Sequence, residues 1–550
     1  MRHTFFLFFF VSIFQSNSFC QTINNTKSID SIFAAFDSKT APGYAVAVVG
    51  SNGIEYAKGF GMANLECNAG INTTTNFNLA SASKQFTAYS ILLLAEQGRL
   101  NLDDDIRKYL HWFPDLHQKI TIRHLINHTS GIREQLRLLP IAGSTGSDYI
   151  SQSRIIKILS NQRGLNFNPG EQYSYCNSGY LLLAEIIEKV SGQKFRAFQD
   201  SAIFKPLGMT HTFVHDEASE ILTNYAVSYE KDDDKFYNYI YSNNTHGSTG
   251  LYSNLEDLGK WVMNFLSPKI GSANTINAFT TTGVFNNGLP NRYAAGIYVN
   301  QYRGQKVYWH SGADAGYRSM IVVFPELKKG IIVLANIEGA NPWTKAYQVA
   351  DLLFNNKLSP KQKPVPSQEP AIIPDNRLTG EYIAENGVRF SIWQKDGDLL
   401  CDVDGEEKLT RISKDVYAFG NDPDIKIRVE QIAKDSFILV ANPDVSRLDR
   451  CRRYNIRKDL TSQQLQPFTG MYYCPELDCI YHIIIKDGRL FFKHNRYSDA
   501  GINLIDEREA VTTLGFMSSL QFTFSGEKVT GFEVNSGQVR HLPFVKVNEK

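Results

Sequence analysis

The sequence predicts an α+β domain followed by an all-β, barrel-like domain. Strand patterns lie at both ends of the first part, at residues 45–57 and 319–335, and helical patterns lie between them. Such an order predicts an antiparallel sheet that is assembled from distant segments and flanked by helices. A proline-rich stretch at residues 358–370 separates this part from a region of short strand patterns and turn residues.

Two hairpins mark the ends of the α+β part. Ala45–Val49 and Ile54–Ala57 are apolar strand patterns joined by Ser-Asn-Gly, which favours a tight turn. Ser319–Phe324 and Gly330–Ala335 form a second pair around the turn residues 325–329. We expect both hairpins to contribute strands to one sheet.

Three helices are predicted between the hairpins. The longest covers Ser81–Leu94 and ends before Gly98; it is apolar on nearly all sides, which is typical of a buried helix. Further helices are predicted over Asp103–Leu110 and Ser178–Val190, and Gly192 supplies a stop signal for the second of these.

The C-terminal part consists of short strands joined by Gly, Asn and Asp turns. We assign residues 356–375 to a semi-rigid linker and residues 376–550 to the β-domain. Leu378–Tyr382 and Phe468–Tyr472 resemble each other, and similar strand–turn–strand patterns follow both. This repeat favours a single β-barrel or sandwich made of two related halves.

The N-terminus predicts export. Arg2 and His3 precede an apolar run at Phe5–Phe14 that is too short to span a bilayer, which is typical of a signal peptide covering residues 1–20. A lipid-modified Cys20 is the alternative. We therefore expect a periplasmic or secreted protein with no membrane span in the mature chain.

The composition excludes several partners and sites. A hydrophobic content of 43% and a formal net charge of +1 indicate an ordered globular protein that does not bind nucleic acid. Cysteines are too sparse for a disulfide scaffold, and whether Cys474 and Cys479 form a disulfide or stay free is left open. No Cys/His cluster has metal-binding spacing, so neither a metal nor a cofactor is expected. The oligomeric state is not indicated.

A candidate nucleophile opens the long helix. Ser81 and Lys84 lie on one helix face, one turn apart, where a lysine amine of lowered pKa could take the serine proton. A tyrosinate held beside the lysine is the alternative base. The same Ser-x-x-Lys spacing recurs at Ser191, Ser228 and Ser525, and what distinguishes Ser81 is its apolar helix.

Two further motifs could complete a site. Tyr175 and Asn177 on a loop could supply a proton carrier and a carboxamide for a substrate amide, although Tyr241 and Asn243 have the same spacing. His310 and Gly312 precede the second hairpin, where a glycine would let a substrate backbone approach a strand.

Together and in this order, the motifs resemble those of serine hydrolases related to penicillin-binding proteins and class C β-lactamases. Pro42–Val48, Ile120–Gly131 and Pro206–Thr210 also look like stretches of that family. The resemblance selects Tyr175 over Tyr241, because the family's tyrosine motif continues as in residues 175–180. It implies a β-lactamase/transpeptidase-like domain at residues 25–355.

The resemblance also implies a role for each residue. Ser81 would form an acyl-enzyme, with Lys84 and Tyr175 sharing the proton transfers and Asn177 binding the acyl side of the substrate. Backbone N–H groups of Ser81 and Ala313 would form the oxyanion hole. The substrate-binding strand would contribute His310, Gly312 and Ala313.

His310 departs from the family pattern, because many relatives carry a lysine there. Histidine is largely neutral at pH 7, so this substitution disfavours binding of a substrate carboxylate. His128 is interpreted as a structural loop residue.

We therefore expect an exported serine hydrolase that cleaves a small amide or ester, with D-amino-acid peptides among the candidates. A β-lactamase proper and a ligand-binding or sensing protein without turnover are the alternatives. The C-terminal domain resembles lipocalin-like domains that accompany some of these hydrolases. It could restrict the mouth of the active site, bind a ligand or pair subunits.

Overall fold

The computed structural model describes most of the chain. The described residues are 26–361, 363–402, 405–420, 422–433, 436–441 and 449–548. The signal peptide predicted for residues 1–20 lies outside the described residues.

The α-helices lie almost entirely in the first part of the chain. They are α1 (Thr26–Phe33), α2 (Lys84–Glu96), α3 (Ile122–Ile126), α4 (Gln135–Ile141), α5 (Gln152–Ser160), α6 (Asn177–Ser191), α7 (Phe195–Gln199), α8 (Lys205–Leu207), α9 (Leu255–Leu266), α10 (Ala273–Thr280), α11 (Pro342–Phe354) and α12 (Ser462–Leu465).

Strands of the first part bracket these helices. They are β1 (Tyr44–Gly50), β2 (Gly53–Phe60), β3 (Met62–Asn64), β4 (Ala69–Gly70), β5 (Phe77–Asn78), β6 (Phe213–Val214), β7 (Tyr229–Asp232), β8 (Lys235–Asn238), β9 (Leu251–Ser253), β10 (Tyr298–Tyr302), β11 (Gln305–Asp314), β12 (Tyr317–Phe324) and β13 (Lys329–Ala335).

The main sheet is antiparallel and has the order β10-β11-β12-β13-β1-β2. Both predicted hairpins are confirmed as β1–β2 and β12–β13, and β1 pairs with β13 across nearly 300 residues of chain. Alternate residues of β1 point to opposite faces, so Ala45 and Ala47 pack in the helical core while Val46 and Val48 pack with α1 and α11. The sheet is therefore covered on both faces.

Helix α2 runs through the centre of the helical layer. Every residue from Lys84 to Leu94 is buried, which confirms the predicted buried helix, and Gly98 follows its end with a φ of +68°. A 3₁₀ turn at Ala80–Ser83 precedes α2 and contains Ser81. The predicted helix thus begins with a tighter turn that carries the candidate nucleophile.

The prediction of a helix over Asp103–Leu110 is wrong. Only a 3₁₀ turn at Ile106–Lys108 forms there. The Asp104 carboxylate accepts the Asn101 N–H at 3.1 Å, and the Asp105 carboxylate accepts the Arg107 N–H at 2.9 Å. Side-chain hydrogen bonds of this kind compete with a continuing helix, and the sequence pattern did not account for them.

Beyond residue 375 the described residues form two closed eight-stranded barrels. Barrel 1 consists of β14 (Gly380–Ala384), β15 (Arg389–Lys395), β16 (Asp398–Cys401), β17 (Glu407–Arg411), β18 (Val416–Phe419), β19 (Asp422–Ala433), β20 (Ser436–Ala441) and β21 (Asp449–Tyr454). Barrel 2 consists of β22 (Gly470–Cys474), β23 (Cys479–Lys486), β24 (Arg489–His494), β25 (Tyr497–Leu504), β26 (Glu509–Thr512), β27 (Ser519–Ser525), β28 (Lys528–Ser536) and β29 (Val539–Val547).

The internal repeat is real, but it marks two barrels rather than two halves of one. Each repeat opens a barrel with the same device: Tyr382 donates its hydroxyl to the Leu378 carbonyl at 2.7 Å, and Tyr472 donates to the Phe468 carbonyl at 2.6 Å. Eight strands follow each opening, which is enough to close a sheet on itself. The prediction of an all-β, barrel-like region is confirmed, and the prediction of a single barrel is wrong.

The two barrels differ in how they join the α+β part. Barrel 1 has a separate apolar core that includes Tyr382 and Leu439. The core of barrel 2, including Tyr472 and Phe532, is continuous with the helical core around α2 and α6. Barrel 2 is therefore packed as part of the α+β domain, although it lies at the far end of the described chain.

Cys474 and Cys479 face each other across the β22–β23 hairpin. Both are buried and both are free thiols in this structure. In the described part of the chain, no helix is long and apolar enough to cross a membrane.

Candidate active site

Ser81 lies in a constrained turn at the start of α2. Ala80, the residue before it, has a φ of +49°, a backbone conformation that is uncommon for a residue with a side chain. The Asn78 carboxamide oxygen accepts the Ala80 N–H at 2.8 Å, and the Ser319 hydroxyl donates to the Leu79 carbonyl at 2.8 Å. These hydrogen bonds hold the turn that presents the Ser81 hydroxyl.

Lys84 connects Ser81 with two other segments of the site. Its Nζ lies 3.2 Å from Ser81 Oγ, 2.7 Å from Asn177 Oδ1 and 2.8 Å from the carbonyl oxygen of Ser248. The side chain is fully buried, and this burial lowers the pKa of Lys84 to about 7, although Glu134 partly opposes the effect. With this pKa, about half of the Lys84 side chains are neutral at pH 7, and the neutral amine can accept the Ser81 proton.

Tyr175 lies beside this pair. The centre of its ring is 4.8 Å from Lys84 Nζ. Its hydroxyl is buried, and this burial raises its pKa well above the usual value, an effect that a hydrogen bond with the neighbouring Ser81 hydroxyl partly opposes. Tyr175 is therefore held as a neutral phenol that can donate a proton, and Lys84 is the better candidate base.

Asn177 is held by Lys84 and by a residue that sequence reasoning missed. Its Oδ1 accepts from Lys84, and its Nδ2 donates to Glu134 Oε1 at 2.9 Å. The Glu134 carboxylate also accepts the backbone N–H of Asn177. One hydrogen of Nδ2 is left over from these contacts, and it can donate to a substrate carbonyl.

Glu134 could have been found from its position before an apolar helix. It is the N-cap residue of α4, and its carboxylate accepts the Leu136 N–H at 3.1 Å. Its role at Asn177, however, depends on a contact between segments 43 residues apart. The loop carbonyl of Ser248 was missed for the same reason.

His128 packs against the loop that carries Tyr175 and Asn177. Its Nδ1 accepts the Cys176 N–H at 3.0 Å, and its ring centre lies 4.3 Å from that of Tyr175. Burial and the charge of Lys84 lower its pKa well below the usual value. This geometry fits a neutral histidine with a structural role.

His310 is buried and neutral. Its Nδ1–H donates to the Ser311 carbonyl at 2.6 Å, and its Nε2 accepts from the Tyr293 hydroxyl at 3.0 Å. Burial is the main cause that lowers the pKa of His310 to about 3, and the charge of Lys84 adds to the effect. The ring therefore supplies no positive charge for a substrate carboxylate at pH 7.

Gly312 brings strand β11 against the Ser81 turn. An added Cβ would lie 2.1 Å from the Leu79 carbonyl oxygen and 3.0 Å from Ala80 Cβ, so only glycine permits this approach. The neighbouring residue Ala313 is exposed. The oxyanion hole from the N–H groups of Ser81 and Ala313 stays a prediction.

The active-site half of β11 has a free edge among the described strands. Pairing between β10 and β11 ends at Tyr298 and Trp309, while residues 310–314 continue to pair with β12 on the other side. An extended substrate could add its backbone to this edge as a further strand.

The other Ser-x-x-Lys and Tyr-x-Asn matches described here have exposed side chains where Lys84 and Tyr175 are buried. Lys194 is 83% exposed and pairs with Glu188, and Lys231 is 50% exposed. Tyr241 is 42% exposed and its hydroxyl contacts Tyr239. Among the described residues, no group of His, Cys, Asp and Glu side chains has a metal-binding arrangement.

Because Lys84 must be neutral to act as a base, the reaction should depend on pH. A lysine whose pKa is lowered to about 7 is protonated below that pH, so kcat/KM for an uncharged ester should rise with pH and level off above about 8. The measurement is a rate profile from pH 5 to 9. A flat profile across this range would contradict the role of Lys84.

The sequence profile of the family described as Beta-lactamase matches residues 29–353. The chain belongs to this family. This confirms the predicted family and the predicted fold class of its first domain.

Three relatives show how far the similarity to the Beta-lactamase family extends. "Penicillin-binding protein 4*" of Bacillus subtilis is 29% identical over 407 residues, covering 70% of this chain and 89% of that protein. A "D-aminopeptidase" of Gluconobacter oxydans is 24% identical over 442 residues and covers 80% of each chain. The octameric penicillin-binding protein homologue from Pyrococcus abyssi has the same fold, with a TM-score of 0.54 and 21% identity over 88% of this chain and 97% of that one.

Proposed function

We propose that the protein is an exported serine hydrolase that cleaves a small amide or ester through an acyl-enzyme on Ser81. The observation that supports this most directly is that buried Lys84 contacts both Ser81 and Asn177. The pKa of Lys84 is lowered to about 7, so its amine can act as the base. The similarity to a D-aminopeptidase supports D-amino-acid peptides as candidate substrates.

In the proposed reaction, Ser81 Oγ attacks the carbonyl carbon while its proton moves to neutral Lys84. Tyr175 donates its proton to the leaving amine or alkoxide and recovers one from the protonated Lys84. Water then attacks the acyl carbon, with its proton passing back through the same groups, and Ser81 and the acid product are released. Each half-reaction returns Lys84 and Tyr175 to their starting states.

The substrate-binding side favours a neutral group opposite His310. A lysine at that position would carry a fixed charge for a substrate carboxylate, whereas His310 is buried and its pKa is lowered to about 3. This favours a peptidase, amidase or esterase over a β-lactamase. The export part of the proposal rests on residues 1–20 and predicts that the protein is found outside the cytoplasm on cell fractionation.

The experiment is product release from three substrates: an activated acetate ester, a D-alanyl anilide and a chromogenic cephalosporin. We expect turnover of the ester or the anilide, an acyl adduct on Ser81 by mass spectrometry, and little turnover of the cephalosporin. Ser81→Ala gives the baseline. Rapid cephalosporin turnover would instead establish a β-lactamase, and stoichiometric acylation without release would establish a ligand-binding protein.

A further inference from the structure

One of the contacts that join barrel 2 to the α+β domain is a buried arginine, Arg133. Arg133 Nη1 lies 2.7 Å from Glu476 Oε2, at the tip of the β22–β23 hairpin, and the two side chains are 1% and 3% exposed. Arg133 Nε and Nη2 donate to the carbonyls of Arg540 and His541 at 2.9 and 2.8 Å. A buried arginine with this many partners in barrel 2 fixes the position of its own backbone.

The residue after this anchor is Glu134, which holds Asn177. The Glu134 N–H donates to the Gln538 carbonyl at 3.1 Å, in the turn between β28 and β29. The Gln538 side chain in turn donates to the Tyr175 carbonyl at 3.4 Å. Barrel 2 thus contacts both segments that carry catalytic groups.

The same residues border a cavity of about 540 Å³. It is lined by Glu134 and Asn177 of the α+β domain and by Phe516 and Gln538 of barrel 2. The cavity therefore lies between the α+β domain and barrel 2, beside Asn177, which accepts a hydrogen bond from Lys84.

We propose that Glu476 and Glu134 are positioning residues, and that barrel 2 holds the catalytic site of the α+β domain in its working geometry. The proposal rests on the function proposed for Ser81. Glu476 holds Arg133, and Arg133 fixes the backbone of Glu134. The Glu134 carboxylate then orients the Asn177 carboxamide, which receives the hydrogen bond from Lys84. Glu476 acts at a distance from the reacting atoms, through this series of contacts.

The series has an electrostatic consequence that a purely structural role would not share. Glu134 is the largest of the charges that raise the pKa of Lys84 against the effect of burial. Neutralising Glu134 or moving it away should therefore lower the pKa of Lys84, and the rise of kcat/KM with pH should occur at a lower pH.

The test measures the pH profile of kcat/KM in full-length variants that are shown to be folded by circular dichroism. Glu134→Gln and Glu476→Gln should each shift the profile to lower pH and lower the plateau, for Glu476→Gln by about 100-fold, the loss typical of a displacement of about 1 Å at a reacting centre. Asp499→Asn is the matched control, because it removes an exposed ion pair with Lys486 in the same barrel. It should leave both the plateau and the profile unchanged.

Glu476→Gln leaves Arg133 buried without its charge partner and could prevent folding. If Glu476→Gln does not fold, the double variant Arg133→Met/Glu476→Met replaces it in the test, because it removes both charges and fills a similar volume. Folded variants with the plateau and profile of Asp499→Asn, or with a profile shifted to higher pH, would overturn the proposal. A wild-type protein without Ser81-dependent turnover would instead overturn the proposed function.

Discussion

Replacing Lys84 with methionine should lower kcat/KM by about 10²- to 10⁴-fold, the contribution typical of a general base. Methionine fills a similar volume but cannot accept the Ser81 proton or donate to Asn177. The fold should persist, since the substitution removes a group whose charged form is costly to bury. Kinetics on an ester substrate and thermal unfolding of the same sample measure the two effects.

The difference in unfolding free energy between the wild type and Lys84→Met should depend on pH in a defined direction. The pKa of Lys84 is lowered from 10.5 to about 7 in the folded protein, so the unfolded state binds more protons between these values. As pH falls from 10.5 to 7, the wild type therefore loses stability relative to Lys84→Met, and below 7 the difference stays constant.

Lys345→Met is the matched control for this prediction. Lys345 Nζ donates to the Ile32 carbonyl at 2.8 Å on the opposite face of the sheet, so its loss should leave kcat/KM unchanged. A Lys84→Met variant that keeps wild-type activity would exclude Lys84 as the base and would leave the pH profile to another group.

Replacing Gly312 with alanine should lower kcat/KM by about 100-fold, because a displacement of about 1 Å at a reacting centre has an effect of that size. The added Cβ would lie 2.1 Å from the Leu79 carbonyl oxygen and 2.5 Å from Ser319 Oγ, so β11 and the Ser81 turn must move apart. Overpacking of this kind also costs about 1–3 kcal/mol of unfolding free energy. Steady-state kinetics and urea unfolding measure both.

Gly70→Ala provides the comparison. Its added Cβ would have one neighbour, the Gly61 carbonyl oxygen at 3.9 Å, which is an ordinary contact distance. That variant should keep both activity and stability. Equal behaviour of the two variants would mean that β11 tolerates a side chain at position 312 and that its approach to the Ser81 turn is not needed.

The sequence predicted best what depends on short-range patterns. Hairpins β1–β2 and β12–β13 and the buried helix α2 follow from apolar periodicity and turn residues. The motif residues Ser81, Lys84, Tyr175 and Asn177 follow from spacing and a family resemblance, and the structure brings all four together. Their individual roles stay predictions.

What the sequence did not predict depends on contacts between distant segments. Glu134 acquires its place from Asn177, and Arg133 from Glu476, which is 343 residues further along the chain. Neither partner leaves a pattern in the local sequence. The number of barrels was also missed, since a repeated opening motif does not say whether the strands behind it close one barrel or two.

The contacts of Arg133 with Arg540 and His541 also constrain the order of events during synthesis. They join residues more than 400 positions apart, and barrel 1 lies between them in the chain. Segments that emerge first from the ribosome usually fold first, but the Arg133–Glu134 segment cannot reach its final contacts until residue 541 has been made. A nascent chain should therefore carry Ser81 and Lys84 for most of its synthesis without a finished site. If barrel 2 positions the site as proposed, hydrolysis would begin only after this last barrel has docked.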